Sequence, residues 1–309
     1  MEQNKTLKTF ERMRGGINFS GALEGGGALL DDNAWEYDKK YYQIVKDRGF
    51  DHIRLPVGLS FYADDTDYTL NPAYLEKVKL AVDHALETGL MIVLDHHHSC
   101  LISNPEKFMR IWEQVAEYFK DYPEELMFEL VNEPVVNDDD WLNKIQAETV
   151  RIIRKTNPTR GIAIAPNQWN GSWKIIAVDL DLFDENCFLS VHNYYTLPFT
   201  RQGRDWKEPK WPGFQQFTNY IAEQVTQHLE LTADFQKKYG MKVWISECGL
   251  FLRRCDPVEV TKYIEHFTKE CARFNLPYAW WEFNIGFGIY NMTEQRWKEE
   301  FISKMTTQW

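Results

Sequence analysis

The sequence predicts an α/β fold, a (β/α)8 or TIM barrel in a single domain. Eight short runs of β-forming residues alternate with eight helical segments along the chain. The length of 309 residues suits such a barrel, whose usual size is roughly 250 residues with insertions beyond that. No linker or low-complexity segment interrupts the alternation. We therefore expect one domain over residues 1–309, with residues 1–13 as an N-terminal extension.

Each predicted element follows from its local pattern. The helix at Pro72 begins after Asn71, a capping residue, and ends at Gly89. The apolar run 126–133 is predicted as a strand that Pro134 stops, because proline has no N–H to continue the ladder. In order, the predicted strands are 16–18, 51–56, 91–96, 126–133, 161–166, 188–193, 241–247 and 278–283. The predicted helices are about 34–48, 72–87, 105–120, 139–155, 172–177, 217–238, 257–274 and 294–304.

An open, doubly wound sheet is the alternative arrangement of alternating strands and helices. It would require a phosphate-binding turn of the pattern G-x-G-x-x-G between a strand and the helix that follows. Residues 21–27 read Gly-Ala-Leu-Glu-Gly-Gly-Gly, which does not fit that pattern. The barrel is therefore favoured.

Charge and cysteine content limit the classes of partner. Asp and Glu number 46 against 35 Lys and Arg, which gives a net charge of −11. Nucleic acids and anionic membranes reward basic surfaces, so we expect neither, whereas a neutral substrate is compatible. The five cysteines are scattered without a CxxC pair, so no zinc ribbon or redox pair is predicted. We expect a monomer, located in the cytoplasm or exported with its leader removed.

Polar and aromatic side chains are concentrated at the carboxyl ends of the predicted strands, where (β/α)8 barrels carry their active sites. A hydrophobic core does not explain an arginine, several histidines and two glutamates at such positions. Their convergence on one face predicts a site. The residues at or just after the strand ends are Asn18, Arg54, Asp95, His96, His97, His98, Asn132, Glu133, Asn167, Trp169, His192, Asn193, Tyr194, Glu247, Trp280, Trp281 and Glu282.

Glu133 and Glu247 end two predicted strands in matching contexts. Two facing carboxyl groups perform glycoside hydrolysis, and they lie about 5–5.5 Å apart in retaining enzymes. Arg54 is expected to hold Glu247 ionised, and Asn132 to donate to a sugar hydroxyl or to the nucleophile. The alternative roles are a surface loop carboxylate for Glu133 and a helix cap or ion-paired strand end for Glu247. For Glu129, which shares strand parity with Glu133, we expect a buried ion pair.

The histidine run supports a second hypothesis. Alternate residues on a strand share a face, so His96 and His98 are candidates to bind a metal ion with His192 and Glu247, as in metal-dependent barrel hydrolases. Hydrogen bonding to a sugar or to a catalytic carboxyl group suits two of these histidines better. A third hypothesis, a carbohydrate-binding barrel without activity, is disfavoured by the presence of both glutamates. The histidines expected to be structural are His52, His84, His228 and His266.

Six motifs between residues 14 and 297 together resemble glycoside hydrolase family 5 of clan A, and within it the bacterial cellulase-like endoglucanases. They are Ile-Arg-Leu-Pro around Arg54, His96-His97, Leu-Val-Asn-Glu-Pro, Val-His-Asn-Tyr-Tyr, Ile-Ser-Glu-Cys-Gly and Trp-Trp-Glu-Phe. The resemblance implies a retaining mechanism with Glu133 as acid/base, Glu247 as nucleophile, and neither metal nor cofactor. The implied supporting residues are Arg54, His96, His97, Asn132, His192 and Tyr194. The implied substrate contacts are Asn18, Glu24, Trp169, Gln202, Trp206, Trp281, Glu282 and Phe287.

The activity that this resemblance implies is that of an endo-β-1,4-glucanase, acting on internal bonds of cellulose-type and mixed-linkage β-glucans. β-Mannanase or xyloglucanase activity in the same groove is the nearest alternative. Gly21, His98 and Arg201 depart from the residues common at these positions in close relatives, which leaves the sugar preference open. We expect no carbohydrate-binding module, and hence poor activity on crystalline cellulose.

Overall fold

Eight parallel strands form a closed barrel in the computed structural model, which describes residues 5–25, 38–205, 208–307 and 309. Each strand pairs with the next along the chain, and the eighth pairs with the first. The predicted (β/α)8 class is confirmed. The strands are β1 (Gly15–Asn18), β2 (His52–Val57), β3 (Met91–His96), β4 (Leu126–Glu129), β5 (Ile162–Ile164), β6 (Cys187–Asn193), β7 (Val243–Cys248) and β8 (Tyr278–Trp280).

Helices surround the barrel and begin at polar caps. The helices of more than four residues are Lys5–Phe10, Lys39–Asp47, Pro72–Glu87, Pro105–Tyr118, Asp139–Arg154, Asn219–Tyr239 and Pro257–Phe274, with a 3-10 helix at Ser172–Ala177. Six of them start after a side chain that accepts a bond from a first-turn N–H, namely Asp38, Asn71, Asn104, Asp138, Thr218 and Asp256. Within the described part of the chain, no helix has the length and apolarity needed to cross a bilayer.

The fourth strand is shorter than predicted. It ends at Glu129, and the chain from 130 to 133 leaves the sheet. The N–H of Leu130 still donates to Ala163 O of β5 at 3.1 Å, whereas the N–H of Asn132 donates to His96 O of β3 at 3.3 Å. In a regular parallel strand, residues i and i+2 bond to the same neighbour, as Phe128 and Leu130 both do on the β5 side, so the bond from Asn132 to β3 shows that the ladder has ended. The prediction that Glu133 ends a strand is therefore wrong, and Glu133 lies on the loop after β4.

The last predicted helix, 294–304, is also wrong over its first half. A two-stranded hairpin, Tyr290–Asn291 with Arg296–Trp297, precedes a single helical turn at Glu299–Ile302. The side chain of Asn291 accepts bonds from the N–H groups of Thr293 and Glu294, at 3.0 and 3.1 Å. This local turn competes with helix formation, which is typical of asparagine.

The side chains that point into the barrel form two layers. The lower layer is an apolar floor, to which Phe10 and Met13 of the predicted N-terminal extension contribute. The floor consists of Phe10, Met13, Met91, Val93, Met127, Ala163, Phe188, Trp244 and Ala279. The next inward positions toward the carboxyl ends carry buried polar groups, namely Asn18, Arg54, Asp95, Glu129, Ser190 and Ser246. The polar layer is thus supported from below by a packed apolar one.

His52 connects two strands beside this floor. Its Nδ1–H donates to Asp51 at 2.6 Å, and the indole N–H of Trp244 donates to its Nε2 at 3.0 Å. Gly16 on β1 leaves room for the ring, because a Cβ there would lie 2.2 Å from His52 Nε2. His52 is structural, as expected.

We predict that Gly16→Ala lowers the free energy of unfolding by about 1–3 kcal/mol, since overpacking displaces a buried ring that is bonded at both nitrogens. Urea denaturation measures the change. Gly25→Ala is the matched control, because no atom of the described residues would lie within 4 Å of its Cβ. Equal stability of the two variants would contradict this packing argument.

Candidate active site

Arg54 lies at the centre of the polar layer and is fully buried. It pairs with three carboxylates: its Nε lies 2.6 Å from Glu129, its Nη1 2.7 Å from Glu247 and its Nη2 3.0 Å from Asp95. Two amide oxygens complete its surroundings, Asn18 Oδ1 at 3.1 Å and Asn132 Oδ1 at 2.9 Å. Burial lowers the pKa of Arg54, but the three carboxylates outweigh burial and hold that pKa well above its ordinary value. Arg54 is therefore a fixed positive charge under Glu247, and the ion pair expected for Glu129 is present.

Glu247 points into the barrel because β7 contains a bulge. Ser246 also faces the interior, so strict alternation would turn Glu247 outward. The register against β6 shifts here: Val191 pairs with Ile245, and His192 pairs with Glu247, which leaves one extra residue on β7. Bulges beside active sites commonly redirect a side chain in this way.

The surroundings of Glu247 keep it ionised. Tyr194 OH donates to its Oε2 at 2.8 Å, and His192 Nδ1 lies 3.5 Å from the same oxygen. Burial raises the pKa of Glu247, but His192, Arg54 and His97, together with the Tyr194 bond, outweigh burial and lower that pKa to about 2. A buried carboxylate that remains charged is suited to act as a nucleophile.

Glu133 approaches Glu247 through the same histidine. His192 Nδ1 lies 2.9 Å from Glu133 Oε1. One carboxylate oxygen of Glu133, one of Glu247 and a ring nitrogen of His192 all lie within 4.8 Å of one another. The side chain of Glu133 is 35% exposed, against 6% for Glu247. The proximity agrees with the spacing of about 5–5.5 Å in retaining glycosidases and is shorter than the 6.5–9.5 Å of inverting ones.

The loops after β4 and β5 hold Glu133 in place. Residues 168–170 all have positive φ, at 56°, 60° and 52°, as does Glu133 at 49°. Such conformations cost about 1–3 kcal/mol each and persist only where contacts impose them. Four bonds connect the loops here: Glu133 N–H to Asn170 Oδ1 at 2.7 Å, Trp169 N–H to Pro134 O at 3.3 Å, Val136 N–H to Asn167 Oδ1 at 3.0 Å and Asn167 Nδ2–H to Val136 O at 2.8 Å.

His96 points away from the two glutamates. Its Nε2 lies 2.8 Å from Ser60 Oγ, and its ring stacks on Phe108 in the helix layer at a centroid distance of 5.6 Å. Burial lowers the pKa of His96 to about 3, so it is neutral. The prediction that His96 supports the active site directly is wrong, because β3 alternation turns it outward and Asp95 inward.

His97 faces the site and is charged. Its Nδ1 lies 2.7 Å from Asp95 Oδ2, and its ring stacks on Trp281 at a centroid distance of 5.5 Å and an angle of 10°. Burial lowers the pKa of His97, but the hydrogen bond and charge of Asp95 outweigh burial and raise that pKa to about 9. His97 therefore connects the Arg54 cluster, through Asp95, to the ring of Trp281.

The predicted metal-binding set of His96, His98, His192 and Glu247 does not come together. Strand β3 ends at His96, so the alternation that would align His96 with His98 does not continue. Among the described residues, the groups whose ligand atoms lie within 4.8 Å of one another are Glu24 with His97 and His98, and Glu133 with His192 and Glu247. The second group is the carboxyl pair itself, and in the first His97 is bound to Asp95.

Aromatic side chains flank the carboxyl pair. Trp169 is 49% exposed beside the loop that carries Glu133, and Trp281 stands half-buried on His97. Phe287 packs near Tyr194, and the Arg201 guanidinium lies 5.0 and 4.2 Å from their ring centroids. Exposed indoles next to carboxylates are suited to stack on sugar rings.

Two further carboxyl groups, those of Glu282 and Glu24, lie near Trp281 and His97. Glu282 is buried, and the N–H of Phe287 donates to its Oε1 at 3.4 Å. Burial raises the pKa of Glu282 to about 8, so at neutral pH it is a hydrogen-bond donor. Glu24 is half-buried, within the group that includes His97 and His98.

Two of the predicted substrate contacts are completely enclosed, with all their polar side-chain atoms bonded within the protein. Asn18 is fully enclosed, with its Nδ2 donating to three backbone carbonyls and its Oδ1 accepting from Arg54. Gln202 is also fully enclosed, bonded to Phe199 O and to the N–H of Gln215. Direct contact of either with a sugar is therefore a wrong prediction. Trp206 lies outside the described residues.

Three further polar residues of the site, Asn170, Ser190 and Ser246, lie outside the residues predicted from the sequence. They form a buried chain beneath the glutamates, in which Asn170 Nδ2 donates to Ser190 Oγ at 3.0 Å, and Ser190 Oγ donates to Glu129 at 2.6 Å and contacts Ser246 Oγ at 2.6 Å. Both serines could have been predicted as site residues, because each is a polar residue within an otherwise apolar strand. Asn170 had no such signal, because its place depends on an irregular loop.

A family model described as cellulase (glycosyl hydrolase family 5) matches residues 24–286. The chain belongs to glycosyl hydrolase family 5. Endoglucanase H of Acetivibrio thermocellus is 33% identical over 212 residues, which are 65% of this chain but only 23% of that longer protein. The resemblance predicted from the motifs is confirmed, and the family 5 chain is a glycoside hydrolase.

Two solved structures of similar proteins cover nearly the whole family 5 chain. Cellulose synthase subunit Z of Clostridioides difficile has 30% identity and a TM-score of 0.88, over 95% of this chain and 99% of that one. Cel5A of Thermotoga maritima in complex with mannotriose has 25% identity and a TM-score of 0.91, over 97% and 100%.

The raised pKa of His97 predicts a loss of stability in mild alkali. Because that pKa is about 9 in the folded protein and 6.5 ordinarily, its stabilisation is fully present below pH 6.5 and is lost as the pH rises through about 9. Between about pH 6 and pH 10, the free energy of unfolding of the wild type should fall by on the order of 3 kcal/mol more than that of His97→Gln.

Urea denaturation at several pH values measures this difference. His228→Gln is the control, because burial lowers the pKa of His228, whereas that of His97 is raised. Parallel curves for the wild type and His97→Gln would contradict the assignment of a charged His97.

Proposed function

We propose that the chain is a retaining endo-β-1,4-glucanase in which Glu247 is the nucleophile and Glu133 the acid/base. The observation that carries this proposal is the bridging of the two carboxyl groups by His192, with Glu247 held ionised over Arg54. The more exposed Glu133 lies toward the leaving group and water, whereas the more enclosed Glu247 lies toward the sugar ring's far face.

The reaction takes two steps. In the first, a Glu247 oxygen attacks the anomeric carbon, the bond from that carbon to the glycosidic oxygen breaks, and Glu133 gives its proton to the departing oxygen. In the second, the Glu133 carboxylate takes a proton from water, the water oxygen attacks the anomeric carbon, and the bond to Glu247 breaks. Each step inverts the anomeric carbon, so the configuration is retained.

The other side chains support these steps. Arg54 and Tyr194 each donate a hydrogen bond to one oxygen of Glu247. They stabilise the negative charge that returns to this carboxylate when the second step ends. His192 sits between the carboxyl groups and fixes the position of Glu133. Asn132 is held by Arg54 through its Oδ1, which leaves its amide N–H groups as donors for a sugar hydroxyl.

A β-1,4-glucan is the proposed substrate, with Trp169 and Trp281 as stacking surfaces. Similar proteins that are named endoglucanases or a cellulose synthase subunit support a glucan. The complex of Thermotoga maritima Cel5A with mannotriose supports mannan as the second candidate. We propose that the chain acts as a monomeric catalytic domain.

The function is tested on carboxymethylcellulose, barley β-glucan, glucomannan, galactomannan and xyloglucan with a reducing-sugar assay. We expect the highest turnover on the glucans. Glu247→Gln and Glu133→Gln should each lower kcat by roughly 10²–10⁴-fold or more on the best substrate, because they remove the nucleophile and the proton donor. Glu148→Gln, an exposed glutamate on an outer helix, is the control and should keep wild-type activity.

Two results would contradict the proposal. Wild-type turnover by Glu247→Gln would exclude it as the nucleophile. Loss of activity with EDTA, restored by zinc, would favour metal-dependent hydrolysis instead.

A further inference from the structure

The side chain of Asn170 bonds to the backbone of Glu133, and the geometry points to a specific task for it. We propose that Asn170 is a positioning residue for proton transfer, which holds the backbone N–H of Glu133 so that its carboxyl group meets the departing oxygen. This inference rests on the proposed role of Glu133 as the acid/base. It assigns a residue outside the motifs of the sequence to the first chemical step.

The orientation of the Asn170 amide is fixed by its neighbours. The N–H of Glu133 only donates, so it must face Oδ1, at 2.7 Å. The carbonyl of Ser190 only accepts, so it must face Nδ2, at 3.1 Å. The side chain is fully buried, and a rotated amide would leave buried groups unsatisfied. Asn170 therefore has one stable arrangement.

This bond determines where the Glu133 side chain points. The backbone nitrogen is attached to the Cα that carries the side chain, and φ at Glu133 is 49°, in the left-handed region. An ordinary negative φ would rotate the N–H away from Asn170 and turn the peptide relative to the carboxyl group. The bond to Asn170 therefore favours the conformation in which Glu133 Oε1 lies 2.9 Å from His192 Nδ1.

Asn170 is in turn anchored to the framework that holds the nucleophile. Its Nδ2 also contacts Ser190 Oγ at 3.0 Å, and Ser190 bonds to Glu129, which pairs with Arg54. Arg54 binds Glu247. A continuous series of buried polar contacts thus connects the backbone of one glutamate to the carboxylate of the other, and sets their separation.

A test must separate this task from simple support of the loop. Proton donation matters for a poor leaving group and hardly matters for an acidic phenol, which departs without a proton. We therefore compare kcat/KM, which reports the first chemical step, for phenyl β-cellobioside and 2,4-dinitrophenyl β-cellobioside. For Asn170→Ala we expect a loss of about 10–10²-fold on the phenyl substrate, the size that displacement of a catalytic group produces, and less than about 3-fold on the dinitrophenyl substrate.

Three further variants complete the design. Glu133→Gln should show the same dependence on leaving group, with a larger loss. Asn170→Asp keeps an oxygen toward the N–H of Glu133, and, since burial favours the protonated carboxyl group, its O–H can donate to Ser190 O, so this variant should restore most of the phenyl activity. Asn143→Ala is the matched control, because this buried amide holds Ala177 O after the same loop without touching Glu133, and it should affect both substrates equally.

The outcomes are distinguishable. Equal losses on both substrates for Asn170→Ala, while Glu133→Gln discriminates between them, would overturn the positioning role alone. No discrimination by Glu133→Gln would overturn both this inference and the proposed function. If Asn170→Ala does not fold, Asn170→Ser takes its place, because the shorter side chain withdraws the oxygen from the N–H of Glu133: a loss confined to the phenyl substrate supports the proposal, and equal losses on both substrates overturn it.

Discussion

One buried guanidinium organises the barrel. Arg54 is the common partner of Asp95, Glu129 and Glu247, and each of these comes from a different strand. Three buried carboxylates without a counter-charge would be prohibitive, and removal of one partner from a buried ion pair typically costs about 3–5 kcal/mol. The same charge that makes the polar layer stable also keeps Glu247 ionised. The stability of this layer and the ionised state of the proposed nucleophile therefore have the same cause, the charge of Arg54. Both also depend on the apolar floor, which excludes water from below.

The acid/base side of the site is built differently. Glu133 lies on a loop, and its position depends on bonds from the neighbouring loop and not on a sheet ladder. Four residues in left-handed conformations are held there, which is free energy that the rest of the fold must offset. The proposed nucleophile is therefore held on a barrel strand, whereas the proposed proton donor is held on loops in left-handed conformations.

The sequence was sufficient for the fold class and the family, because alternating strand and helix patterns and contiguous motifs carry both. It also singled out Glu133 and Glu247, which the structure brings together on His192, although not on the strand geometry expected. Alternation along β3 would also have predicted that Asp95 faces inward and His96 outward, yet the motif His96-His97 suggested equal roles. Alternation along β7 would have predicted that the side chain of Glu247 faces outward, but a bulge in this strand turns the side chain inward. Where strands end irregularly, as after Glu129, pattern reasoning does not locate side chains. Asn170 was missed for this reason, although its amide is fully buried beside Glu133.

The identity of the nucleophile is the central claim, and trapping tests it most directly. A 2-deoxy-2-fluoro β-cellobioside with an activated leaving group should inactivate the protein by forming a stable glycosyl–enzyme, because fluorine slows its hydrolysis. Peptide mapping by mass spectrometry should then place one sugar on the segment that contains Glu247, and Glu247→Gln should remain unlabelled. A label on another residue, or hydrolysis of the substrate with inversion and no label at all, would contradict the account.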